Sequence, residues 1–285
     1  MSPASALTAS HGWSRALRVA TATALVVWFG LPFLPLLLWA GADGWSYPAP
    51  LPTSWGTRGF DEAAAFGAVP GAVSSLLLAL SVAVIATPLG ALAARALTFG
   101  SVPAPRLVGA VLLSPIALPP VVAVLGVNVV LLRAYIPPAP GVVLVLVVLA
   151  LPYTTFVMRT AYNAYDRGYE DGARLLGADA VQVFLRVQLP LIAPALARAA
   201  FLAFLVAWSD YVVTVIVGGG EIVTLPLVVA SAASAVGNDS AVAVMSLAAI
   251  IPPIVLLLAA LSFGRRRPRS GSVPVAAPGS ERIPA

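Results

Sequence analysis

The sequence predicts an all-α membrane protein of about six transmembrane helices, with one charged loop between the fourth and the fifth. Three observations carry that prediction. The 285 residues are 60% hydrophobic and only 9% charged, whereas soluble domains carry about 25% charged residues. The apolar runs are too long for ordinary core helices. The charges collect in a few places, above all in one segment holding Asp166, Arg167, Glu170, Asp171, Arg174, Asp179 and Arg186. An ionised side chain at mid-bilayer costs about 2.5–3.5 kcal/mol, so that segment lies in water on one side of the membrane.

Composition also removes whole classes of chemistry. Without cysteine, and with His11 as its single histidine, the chain has no disulfide, no thiol nucleophile and no Cys/His metal cluster. No catalytic residues, metal site or cofactor are expected. All 16 basic residues are arginine, so there is no Walker A lysine and the chain is not itself a P-loop ATPase. The net charge of +5 is distributed as membrane topology requires, and no nucleic-acid partner is expected.

In chain order, residues 1–14 read as a mobile cytoplasmic lead. Arg15 and Arg18 precede a first span, Val19–Ala42, too long and too rich in proline and tryptophan for a signal-peptide core of about 7–15 residues. A loop with Pro48, Pro50 and Pro52 follows. The second span covers Pro70–Ala94 and ends at Arg95. The third, Leu107–Leu132, contains Pro115, Pro119 and Pro120, and the fourth is Val142–Met158. After the charged loop, the fifth runs Ala195–Val217 and is interrupted by Asp210. The sixth, Ala241–Phe263, contains Pro252 and Pro253. Residues 15–264 thus form the transmembrane domain, and 265–285 a disordered basic tail. Most arginines outside the spans fall on one side, and only Arg58 and Arg133 on the other. The positive-inside rule puts both termini and the 159–198 loop in the cytoplasm.

The charged segment, YEDGARLLGADAVQVFLRVQLP from Tyr169 to Pro190, reads as two short helices around a turn. Gly177 sits where a left-handed residue ends the first helix. Asp179 and Gln182 have capping-box spacing for the second, which runs to Leu189 and stops at Pro190. Asp171-Gly172-Ala173, then Gly177, then Val187-x-Leu189-Pro190 resembles the EAA loop (E-A-A-x3-G-x9-I-x-L-P) of ABC importer permeases. The spacing agrees at every element, with Asp171 for Glu, Gly172 for the first Ala and Val187 for Ile.

That resemblance implies a permease subunit whose loop is a coupling helix docking on a separate ATPase subunit. It assigns that role to Glu170, Asp171, Gly172, Ala173, Leu176, Gly177, Leu189 and Pro190. It further implies a second permease subunit (a heterodimer, with a homodimer as the alternative), an extracytoplasmic substrate-binding protein, and residence in the inner membrane of a prokaryote. Similarity over Ala72–Arg265 includes Pro115, Pro119-Pro120, Leu151-Pro152-Tyr153, Trp208-Ser209-Asp210-Tyr211 and Thr224-Leu225-Pro226. These elements are similar to the polyamine branch, whose relatives carry iron, thiamine or phosphonates; sugar permeases share parts of them.

Asp210, an ionisable residue within a span, is a candidate for the substrate pathway together with Asn128, Ser209 and Tyr211. A structural residue paired with backbone at the outer rim is the rival reading. The alternative function class, a self-contained secondary transporter or channel, requires paired ionisable groups at mid-membrane, and Asp210 has no basic partner at its depth.

Overall fold

The computed structural model of the chain describes residues 4–264 apart from positions 47 and 101, so the 265–285 tail lies outside the described residues. Helix α1 (Ala4–Gly30) and α2 (Phe33–Ala40) meet at a 44° bend, where Pro32 cannot supply a helical N–H. A small antiparallel hairpin, β1 (Ala42–Gly44) with β2 (Ser54–Trp55), leads to α3 (Arg58–Ala65). Gly59 of α3 lies so close to Ser240 that a Cβ there would stand 3.0 Å from the Ser240 carbonyl oxygen, and Ser240 donates to the Ala42 carbonyl at 2.7 Å. The connection read from sequence as a plain loop is therefore a packed cap.

Helix α4 (Ala68–Phe99) and α7 (Pro138–Asn163) are single long helices. Between them the third predicted span is not straight. It is two helices, α5 (Pro105–Ala117) and α6 (Pro120–Arg133), meeting at 107°. Leu118 precedes Pro119, which precedes Pro120. A residue before proline is pushed out of the helical region, and Leu118 and Pro119 take extended ψ values of 141° and 122°.

After the loop helices α8 (Gly168–Leu175) and α9 (Ala180–Val183), a π turn at Phe184–Gln188 runs directly into α10 (Leu189–Trp208). Pro190 therefore does not stop the helix, as the sequence reading expects. The wide π turn ends with Leu189 N–H bonded to the Phe184 carbonyl. A widened turn accommodates a proline ring that would clash in α geometry, and Pro190 follows that turn directly within one continuous helix from Ala180 to Trp208. Helices α11 (Val212–Gly218), α12 (Leu225–Ala233) and α13 (Asp239–Gly264) complete the chain. Among the described residues four helices are long and apolar enough to cross a membrane, and six spans result if each bent pair counts as one.

The core is a trio of α4, α7 and α10. Small residues permit the approach: a Cβ on Gly90 would run into the Thr154 side chain and stand 3.0 Å from its carbonyl carbon. Without a hydrophobic drive between helices in lipid, such close van der Waals contact is what holds spans together. One buried cluster includes Ala79, Val82, Leu146, Phe204, Val213 and Met245; a second, at the loop end, joins Ala91, Ala94, Met158, Tyr162, Ile192 and Ala199. Helix α12 is fastened to α4 by the Leu225 N–H, which donates to Ser75 Oγ at 2.8 Å.

Candidate functional site

The loop builds its turn from local rules. Gly177 has φ +89°; its N–H donates to the Arg174 carbonyl at 2.9 Å, and the Ala178 N–H to the Ala173 carbonyl at 3.0 Å. Those two bonds are a Schellman motif. Asp179 then caps α9: its Oδ1 accepts from the Gln182 N–H at 2.8 Å, and Gln182 Oε1 accepts from the Asp179 N–H at 3.3 Å. At the start of α8, Asp166 Oδ1 accepts from the Gly168 N–H at 2.8 Å. Glu170 and Asp171 fill the first turn of α8, where negative charge suits the helix dipole.

This framework presents two leucines to solvent, Leu175 at 89% exposure and Leu176 at 91%. Leucines that bare on a charged loop are not part of the core. Asp171, Gly172, Gly177 and Pro190 are also exposed, while Ala173 and Leu189 are half-buried.

Glu170 behaves differently from the other loop residues. Its side chain is 1% exposed and turns inward to Arg95 on α4. Arg95 Nη1 donates to Oε1 at 3.2 Å and Nη2 to Oε2 at 3.1 Å, and Arg174 Nη2 stands 3.5 Å from Oε2. Burial works to raise the Glu170 pKa, but the Arg95 hydrogen bonds and charge outweigh it and leave the carboxyl below its ordinary value. Burial, then the Glu170 charge, push the Tyr165 hydroxyl up to about 12.

An aromatic group surrounds the pair. Phe99, Tyr162 and Tyr165 meet edge to face at centroid distances of 5.7–6.3 Å, and the Arg167 guanidinium lies 5.3 Å over the Phe99 ring. Gln188 Nε2 donates to the Tyr162 hydroxyl at 3.2 Å. Sequence reading takes Arg95 only as a topological charge, and neither tyrosine nor Gln188 stands out; Glu170 Oε2 and Arg95 are 75 residues apart in sequence.

The second candidate region is the break between α10 and α11. Asp210 accepts from the Val213 N–H at 3.1 Å, the Thr214 N–H at 2.9 Å and the Thr214 hydroxyl at 2.9 Å. The carboxylate thus serves the free N–H groups at the start of α11, the geometry of the rival reading. Ser209 Oγ donates back to the Leu205 carbonyl at 2.8 Å, and Tyr211 is 43% exposed. Asn128 is half-buried on α6, which packs against α11.

Comparison with known proteins follows the same outline. A family model described as "Binding-protein-dependent transport system inner membrane component" matches residues 86–269. The trehalose transport system permease protein SugB of Mycobacterium tuberculosis is 33% identical over 141 residues, covering 48% of this chain and 51% of that protein. The putrescine transport system permease protein PotI of Escherichia coli K12 is 30% identical over 184 residues, covering 61% of this chain and 65% of that one. The matches thus span about half to two thirds of these relatives' lengths. A chain in the crystal structure of a bacterial ABC transporter importing the acidic polysaccharide alginate superposes with a TM-score of 0.66 at 15% identity, covering 89% of this chain and 97% of that one; the fold is shared.

Proposed function

The chain belongs to the binding-protein-dependent transport system inner membrane component family, and from that premise we propose that it is the permease subunit of an ABC importer, coupled to separate ATPase subunits through the 167–190 loop. The observation that carries this reading is the Leu175–Leu176 pair, solvent-exposed on a turn fixed by Gly177 and by the Asp179–Gln182 capping box. Conformational coupling requires only that closed ATPase subunits bind the permease's two states with different affinity. A binding protein would deliver cargo on the opposite face, and a second permease subunit would complete the passage.

The test is co-purification of the tagged full chain from its native membrane, with mass spectrometry of what accompanies it. An ATPase subunit carrying a Walker A sequence is expected; its absence refutes the reading. The proposed orientation, with both termini on the ATPase side, predicts that an impermeant thiol reagent labels Ser54→Cys and Gly219→Cys in intact cells but not Ala180→Cys.

For cargo, a small organic cation such as a polyamine is the first reading. It is supported by the similarity to the putrescine permease and by a carboxylate, Asp210, next to Tyr211. A neutral saccharide is the second, supported by the similarity to the trehalose permease and by the three donors that already occupy Asp210.

A further inference from the structure

We propose that Glu170 is a positioning residue for energy coupling: through Arg95 it fastens the loop to α4, so that loop and helix end move as one body. The inference rests on the coupling function above and concerns how the loop's displacement spreads into the bundle.

Helices α7 and α10 are joined to the loop by the chain itself. Helix α4 is not, although it packs against both. The loop reaches α4 through Arg95–Glu170 and, beside it, through Arg167 lying over Phe99. Both oxygens of Glu170 are taken by the two terminal nitrogens of Arg95. Two parallel bonds from a planar guanidinium fix orientation as well as distance, which a single-point contact does not. At 1% exposure the carboxylate has no face left for a partner subunit, whereas Asp171, one residue on, is 65% exposed. Arg95 follows Ala94, fully buried in the loop-end core with Ala91, Met158 and Ile192. A push on α8 therefore reaches the core trio within one side chain's length. Without the pair, α4 follows only through packing.

The test uses the complete transporter with its ATPase subunits in vesicles. Glu170→Gln preserves size and removes the charge; Glu170→Arg combined with Arg95→Glu restores a pair of opposite hand. We expect Glu170→Gln to leave the ATPase subunit bound while cargo-stimulated hydrolysis falls about tenfold, within the range typical of coupling between sites. The exchanged pair should recover part of that loss. Spin labels at Ala96→Cys on α4 and Ala180→Cys in the loop should report one narrow distance that ATP does not change, and a broadened one in Glu170→Gln. Loss of the ATPase subunit from Glu170→Gln, unchanged stimulation, or an ATP-dependent label distance in the parent would each overturn the proposal. A parent chain that never binds an ATPase subunit would instead overturn the coupling function itself.

Discussion

The indole Nε1 of Trp208 donates to the carbonyl oxygen of Ala249 at 2.9 Å. Ala249 is four residues before Pro253 inside α13, so its carbonyl is the one that the proline's missing N–H leaves without a helical partner. Helix α10 thus repairs a defect in α13. Trp208 is stacked on Phe204 at 5.6 Å, which fixes the indole's aim. In α5 the same problem is solved locally: Ser114 Oγ donates to the Val111 carbonyl at 2.8 Å, the acceptor vacated by Pro115. At Pro253 and Pro115 a side-chain donor thus takes the carbonyl that the proline leaves free, one of the ways in which span helices tolerate proline.

From this follows a double-mutant cycle. Trp208→Phe keeps the stacking but removes the donor, and should destabilise the purified protein by about 0.6–2 kcal/mol. In a Pro253→Ala background the helix supplies its own N–H to Ala249, so Trp208→Phe should then cost close to nothing. Equal costs in both backgrounds, measured by thermal unfolding in detergent, would show that the indole acts by packing alone.

Gly177 can be tested for backbone conformation separately from steric approach. A Cβ at this position would meet nothing within 4 Å, yet φ is +89°. The penalty of a substitution is therefore conformational, about 1–2 kcal/mol for a residue forced into the left-handed region. Gly177→Val should leave membrane insertion intact and abolish cargo-stimulated ATPase activity in the assembled transporter. Gly177→Asn, a residue that tolerates this region, should retain most of it. If the two variants behave alike, contact with the partner rather than the turn sets the requirement.

The loop was legible in the sequence because its determinants are local: Gly177, and Asp179 with Gln182, each act within five residues. The four long apolar helices and the two bent pairs were legible as about six spans because hydrocarbon imposes a length and excludes charge. What escaped were relationships set by tertiary structure. Nothing near Glu170 marks it as buried, since its partner Arg95 lies on a helix 75 residues earlier. Pro190 reads as a stop because the π turn that accommodates it has no sequence signature. Pro119-Pro120 signals a kink, but not that it opens to 107°. Asp210 reads equally well as a pathway charge or as a helix cap, because the sequence does not say that α10 ends at Trp208.

The ion pair at the loop also has a pH signature. The folded pKa of Glu170 is lowered from an ordinary value of 4.5. Its contribution to stability is therefore present above that value and is lost as pH falls through the folded pKa. The stability difference between the parent and Glu170→Gln should hold across neutral pH and disappear in the acid range below 4.5. Tyr165 acts at the other extreme: with its pKa raised from 10.0 to about 12, the stability it lends is present below pH 10 and is lost as pH rises from 10 to about 12. Tyr165→Phe should flatten that alkaline limb in a detergent unfolding series, and an unchanged limb would assign it to another group.

The last prediction separates the two possible duties of Asp210. An exchange for asparagine is not a clean removal of charge here. An amide would turn its NH2 toward the backbone N–H of Thr214 or of Val213, placing donor against donor where the carboxylate accepts. Buried groups left unpaired in this way cost about 1–3 kcal/mol, and lost transport would then report lost structure. Serine removes the charge without setting an NH2 against these donors, and its hydroxyl can still accept in the first turn of a helix; one oxygen does not replace two, so some loss of stability is expected with it. If the cargo is a small cation, Asp210→Ser should remain folded and assembled with its ATPase subunits while uptake of labelled putrescine falls at least about tenfold, the scale on which a fixed charge enriches counter-ions in a low-dielectric passage. If the cargo is a neutral saccharide, Asp210→Ser should take up labelled trehalose at the parental rate, and putrescine should not be transported by either form. Parental putrescine uptake by Asp210→Ser would leave Asp210 as the cap of α11 and remove the charge from the cargo argument altogether.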